Sequence, residues 1–171
     1  TTVTMSLEYA RYGKIKVNLA KVDRTDGRHT IKEITAEVLL ESPQFDIAYT
    51  DGDNTTTVPT DTTRNTMYVL AKKFPVDPIE KFGIETVKHF LNKYPHITKV
   101  HVDLTEHIWD RISINNVPHK FAFTKRQPEV RNAVVTMTRG GKPVVTSKIL
   151  NLVVLKTTES AFENFHQVTT Q

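Results

Sequence analysis

Apolar positions recur with two different periods along this chain, and the change of period divides it into elements. In residues 16–22 (KVNLAKV) and 30–41 (TIKEITAEVLLE) the apolar side chains fall on roughly every second position. That is the period of a strand with one face buried. The intervening RTDGRH carries Asp26 and Gly27, a pair suited to a tight reversal, so the two segments predict an antiparallel hairpin. Residues 43–49 predict a short further extended piece before the polar loop DGDNTTT.

Beyond Val58 the period lengthens. Thr60 or Asp61 offers an N-cap oxygen for a helix running to about Lys73, and Phe74-Pro75 stops it. A second helix is predicted from Asp77, with Pro78 at its first position and Glu80 completing a capping-box-like pattern. Ile79, Phe82, Val87, Phe90, Leu91 and Tyr94 form its apolar stripe, and Pro95 ends it. Alternation returns at residues 100–104. Extended pieces follow at 121–124, after the turn-like Asn115-Asn116, and at 129–138. Arg139-Gly140-Gly141-Lys142 turns the chain into extended residues 143–154, and residues 159–165 predict a short helix.

Strands, then helices, then a run of strands favour an α+β fold over a parallel doubly wound sheet. Such a sheet has one helix-covered face and exposed edges. Edges need pairing or protection, so assembly into a closed oligomer is expected.

Composition narrows the function classes. The chain has 171 residues, 38% hydrophobic and 25% charged, the balance of a globular domain with a real core. It has no cysteine, which excludes a disulfide framework and any thiolate metal site. The net charge of +4 suits attraction of small anions. No Lys/Arg run is interleaved with aromatics, so no nucleic-acid groove is expected. No apolar run approaches a membrane span, so no membrane partner is expected either. The first residues lack a secretory pattern and the last lack a Ser-Lys-Leu address; the expectation is a peroxisomal or cytoplasmic protein.

Most familiar motifs fail on spacing. Gly140-Gly141-Lys142 lacks the phosphate-loop pattern and sits between strands. Glu85 and His89 share a helix face without the second histidine of a zinc protease helix. His101, Asp103 and His107 form a weak metal candidate, and a solvated strand face accounts for them equally well. The segment VPTDTTRNTMYVLA is more informative: Thr60-Asp61 puts a hydroxyl, a carboxylate and free backbone N–H groups at a helix mouth. On sequence alone Thr60-Asp61 is a capping pair, Lys14 a solvated lysine at a strand start, and Phe162 a core aromatic.

Several short blocks give these residues other roles. They are Tyr12-Gly13-Lys14, Gly52-Asp53-Asn54, Pro59-Thr60-Asp61 with Asn65-Thr66, His89-Phe90 with Lys93-Tyr94, Trp109, Pro118-His119 with Ala122-Phe123, and Val154-Leu155-Lys156-Thr157-Thr158 with Ser160, Phe162 and Phe165. In this order they resemble the urate oxidase family across nearly the whole chain. Arg64 stands where the family usually has lysine, Phe121 where it has a second histidine, and Asn151 where it has glycine.

The resemblance implies a tunnelling fold, a four-stranded antiparallel sheet backed by two helices, with modules paired into barrels that stack as a homotetramer. The family carries two such modules in tandem. Residues 1–171 resemble the first, and the second would be the partner. The implied activity is oxidation of urate by O2 to 5-hydroxyisourate and hydrogen peroxide in purine catabolism, with no cofactor and no metal. By resemblance Lys14 and Thr60 form a proton relay. A lysine fits when burial or a nearby cation lowers its pKa from about 10.4 toward neutrality. By resemblance also, the Asp61 N–H and Thr60 hold the substrate and Phe162 stacks on the purine face. The relay pair comes from one subunit and the stacking ring from its neighbour, so the site exists only in the oligomer. Two competing readings share the fold: a single-module pterin or purine enzyme of cyclohydrolase or synthase type, and a non-catalytic subunit of a larger ring.

Overall fold

A computed structural model describes Leu7 and residues 9–161, 163 and 164. Strands β1 (Arg11–Asp23) and β2 (Thr30–Glu41) form the predicted hairpin, turning at Gly27 with φ +65°. A 3-10 turn (Pro43–Phe45) and a one-turn helix α1 (Asp46–Thr50) follow, then helices α2 (Thr60–Lys73) and α3 (Ile79–Lys93). Strands β3 (Lys99–Ile114), β4 (Val117–Thr138) and β5 (Val144–Leu150) complete the regular elements among the described residues. All five strands lie in one antiparallel sheet in the order β1-β2-β3-β4-β5. This is the α+β architecture expected, with a fifth strand beyond the four implied: residues 144–150 retain backbone partners in β4.

The sheet's two faces differ in chemistry. On one, Val17, Leu19, Ile34, Ala36, Val38, Leu40, Val100, Val102, Leu104, Ala133 and Val135 are buried beneath the two long helices. α2 contributes Met67 and Leu70, and α3 contributes Phe82, Val87 and Phe90, each at most 1% exposed. Each such large side chain gains roughly 1.5–3 kcal/mol on leaving water. Gly83 lets α3 lie close to the sheet, since a Cβ there would stand 2.6 Å from Val135 Cγ2.

Two cations finish the helices. Arg139 donates from Nε to Ile97 O at 2.9 Å, and from its terminal nitrogen to Leu91 O and Tyr94 O at 2.7 Å each. Lys21 donates to Ala71 O at 2.8 Å. Both satisfy carbonyls that a helix end leaves without internal partners.

Four details differ from the sequence expectation. Residues 43–50 are helical rather than extended, because Ser42 Oγ accepts the Gln44 N–H at 3.2 Å and Pro43 presets the turn. The N-caps of α2 and α3 are Pro59 and Pro78, and neither helix has a side-chain cap. Asp77 instead pairs with Lys32 at 3.2 Å, and Glu80 accepts a bond from Ser147 at 2.7 Å. Residues 121–124 and 129–138 belong to one long strand. Residues 159–161, 163 and 164 are not helical; Glu159 and Asn164 take φ values of +56° and +55°, which a right-handed helix excludes.

The sheet is open, with β1 and β5 at its edges. The β5 edge and the segment after it are strongly apolar. Val144 and Ile149 are 66% and 58% exposed, and residues 152–155 (LVVL) rise to 86% at Leu155. Among the described residues no helix is long and apolar enough to cross a membrane.

Gly83→Ala should destabilise the fold by roughly 1–3 kcal/mol, as overpacking of a filled core does. Urea unfolding followed by circular dichroism measures the loss. An unchanged midpoint would mean that α3 can lift from Val135 freely.

Candidate functional site

The start of α2 is built by the loop before it. Gly52 takes φ +68°, Asp53 Oδ1 accepts the Thr55 N–H at 2.9 Å, and the Thr57 N–H bonds Asn54 O at 2.9 Å. Thr56 Oγ1 donates to Gln44 O at 2.9 Å, fastening the loop to the 3-10 turn. The chain then dives at Val58, 4% exposed, and emerges through Pro59 in extended geometry, φ −54° and ψ 136°. The Thr63 N–H bonds Pro59 O at 3.0 Å. With no side-chain cap, the N–H groups of the first turn ahead of it face outward. Thr60 and Asp61 are exposed there. The Asp61 carboxylate turns sideways to Arg64 at 3.4 Å, leaving its own N–H open.

The start of β1 is built by glycine and a bulge. A Cβ on Gly13 would fall 1.9 Å from Val38 O, so only glycine permits this approach of the two strands. Lys14 pairs with Val38, and the register then slips before Val17, with Lys16 at φ +55°. Such a bulge bends a strand and re-aims its side chains. Lys14 is half-buried, and among the described residues no carboxylate lies within ion-pair distance of it.

Tyr12 joins the two starts. Its hydroxyl donates to Val58 O at 3.0 Å and accepts the Val58 N–H. The ring stands edge-on to Phe45 at 4.7 Å. Burial pushes the phenol pKa up to about 12, so it remains a neutral donor at any ordinary pH. Lys14 and Thr60 thus each sit two residues from one tether. The structure brings their segments together, although no hydrogen bond links the two side chains within the chain. Phe162 lies outside the described residues. The sequence pattern puts Tyr12 in a motif without giving it a role; its partner is backbone, which leaves no mark in a sequence.

The open sheet face carries a separate polar array. Glu41 accepts from Tyr9 at 2.8 Å and lies 2.6 Å from His101 Nε2, whose Nδ1 is 3.0 Å from Thr136 Oγ1. His107 Nε2 is 2.8 Å from Thr35 Oγ1, and Asn132 donates to Asp103 at 2.5 Å. The three residues of the weak metal candidate therefore have separate partners. Among the described residues no group of three or more His, Asp or Glu stands together as a metal site.

Glu33 accepts from Trp109 Nε1 at 2.6 Å and from Lys125 at 3.0 Å. Burial favours its neutral form, but the bonds from Lys125 and Trp109 outweigh it and hold the carboxyl below its ordinary value. A carboxyl lowered by folding contributes stability that is complete above its unfolded pKa, about 4.3. That contribution disappears as pH falls through the lower folded value. Glu33→Gln should therefore lower the melting temperature at neutral pH and flatten its fall below about pH 4.3. Calorimetry across pH 3–7 checks this; parallel curves for the two proteins would remove Glu33 from the acid response.

Residues 10–136 match the family model described as Uricase. The chain is 42% identical over 158 residues to the uricase of Emericella nidulans, an alignment spanning 91% of this chain and 52% of that protein. It is 40% identical over 162 residues to the uricase of Oryctolagus cuniculus, across 93% and 53% of the two. The crystal structure of uricase from Arthrobacter globiformis superposes with a TM-score of 0.77 at 33% identity, over 86% of this chain and 49% of that one. The chain spans about half the length of the curated relatives it matches.

Proposed function

The chain belongs to the uricase family, and from that premise we propose that it is the first of two tunnelling-fold modules of a urate oxidase that works without a cofactor. The overall reaction joins urate, O2 and water to give 5-hydroxyisourate and hydrogen peroxide. The observation that carries this reading is the uncapped mouth of α2, presenting Thr60 and the Asp61 N–H, tied by Tyr12 to the strand that bears Lys14.

The chemistry follows from those groups. Urate reacts with O2 as an electron-rich anion, so it must be held as an anion and deprotonated. Outward N–H groups at a helix start favour negative charge, and the Asp61 N–H takes one edge of the ring. A threonine hydroxyl stays un-ionised near neutrality and is too weakly basic to take the proton alone. Thr60 Oγ1 instead passes the proton to the Lys14 amine, which moves on four rotatable bonds and is held by no carboxylate among the described residues. Phe162 of a neighbouring subunit covers the ring face. Assembly completes the site, and the exposed apolar β5 edge with residues 152–155 supplies surface for pairing with a further module of the same fold.

Oxygen uptake with urate, in the presence of a chelator, tests the reading on the chain assembled with its second module. Uptake should persist under chelation. Thr60→Ala and Lys14→Ala should each lower turnover on the order of 10²-fold or more, the usual weight of a proton-transfer group, while circular dichroism stays unchanged. Near-normal rates in both variants would reject the relay. The 171-residue chain by itself should consume no oxygen; uptake by the isolated chain would remove the requirement for the second module.

A further inference from the structure

We propose that Tyr12 is a positioning residue for this site: its hydroxyl, bonded to both backbone groups of Val58, sets the mouth of α2 against the start of β1 and thereby fixes Thr60 and the Asp61 N–H relative to Lys14. The proposal deepens the functional reading above and rests on it.

The geometry carries it in three steps. Val58 is buried, and one phenol serves as acceptor for its N–H and donor to its C=O, at 3.0 Å for the latter. Buried backbone groups do not stay unpaired, so this hydroxyl holds the peptide in position and orientation as a neighbouring strand would. From Val58 the constraint passes through Pro59, whose ring restricts φ, directly to Thr60. From Tyr12 it passes through Gly13, where β1 lies so close to β2 that no other residue fits, to Lys14. Two residues span at most about 7 Å, so both reacting groups branch from short, stiff arms of a single anchor. The edge contact with Phe45 at 4.7 Å fixes the ring that carries the anchor.

Tyr12→Phe keeps the ring and deletes only the hydroxyl. In the assembled, urate-oxidising protein it should raise the KM for urate and lower kcat per active site, together reducing kcat/KM about tenfold. In a Thr60→Ala background the loss in kcat should almost vanish, because the hydroxyl it positions is gone, while the rise in KM through the Asp61 N–H remains. Amide hydrogen exchange should quicken at Val58 by tenfold or more while β3 amides keep their rates. Phe82→Leu, which loosens the core elsewhere, is the comparison: lower stability with an unchanged KM. Three results overturn the proposal: unchanged kcat and KM in Tyr12→Phe, an equal factor lost in kcat with and without the Thr60 hydroxyl, or unchanged exchange at Val58. A wild-type assembly that leaves urate intact overturns the functional reading and this role together. A working wild type with an indifferent Tyr12→Phe overturns this role alone.

Discussion

A single phenol ties together two parts of the chain that the sheet alone would leave independent. β1 is registered by its ladder to β2, and α2 by its apolar stripe against the sheet. Lys21 bonded to Ala71 O holds the C-terminal end of α2 to the strand, but none of these contacts holds its mouth. The bond between Tyr12 and Val58 does, because a buried peptide group has no solvent to substitute for a lost partner. Gly13 and the bulge after Lys14 serve the same end. One permits the close approach of strands and the other turns the lysine out of regular register.

The two faces of the sheet differ in what holds them. The helix-covered face is almost wholly apolar and holds the molecule together. The open face carries paired polar groups: Glu41 with His101 and Tyr9, Glu33 with Trp109 and Lys125, His107 with Thr35. Such a face tolerates water, which explains a sheet without helices on both sides. The apolar β5 edge is different in kind. Exposed strand edges of this composition invite pairing, and Thr60 and Asp61 sit at an uncapped, exposed helix mouth.

Much of this is legible in order along the chain. The β1–β2 hairpin and both long helices follow from periodicity, because burial of one face drives folding more than any other force and leaves its period in the sequence. The helix starts at Thr60, Asp61 and Asp77 are where sequence and structure part. A capping residue is recognised by type, but here extended prolines take the cap positions and Asp77 finds Lys32, on a strand far away along the chain. Residues 43–49 suggest an extended piece only because seven residues are too few to show a period. The decisive signal is the local bond from the Gln44 N–H to Ser42.

Periodicity and turn chemistry therefore determined by themselves that this protein is an α+β domain with one apolar sheet face, and its short motifs pointed to Lys14, Thr60 and Asp61. Only the tertiary structure decided that the segments carrying those residues share an anchor, that α2 opens without a cap, and that the histidines of β3 face partners of their own. The reason is the range of the forces involved. Burial acts on every residue of an element and repeats along it. A hydrogen bond to backbone acts once, between positions 46 residues apart, and no side-chain pattern records it.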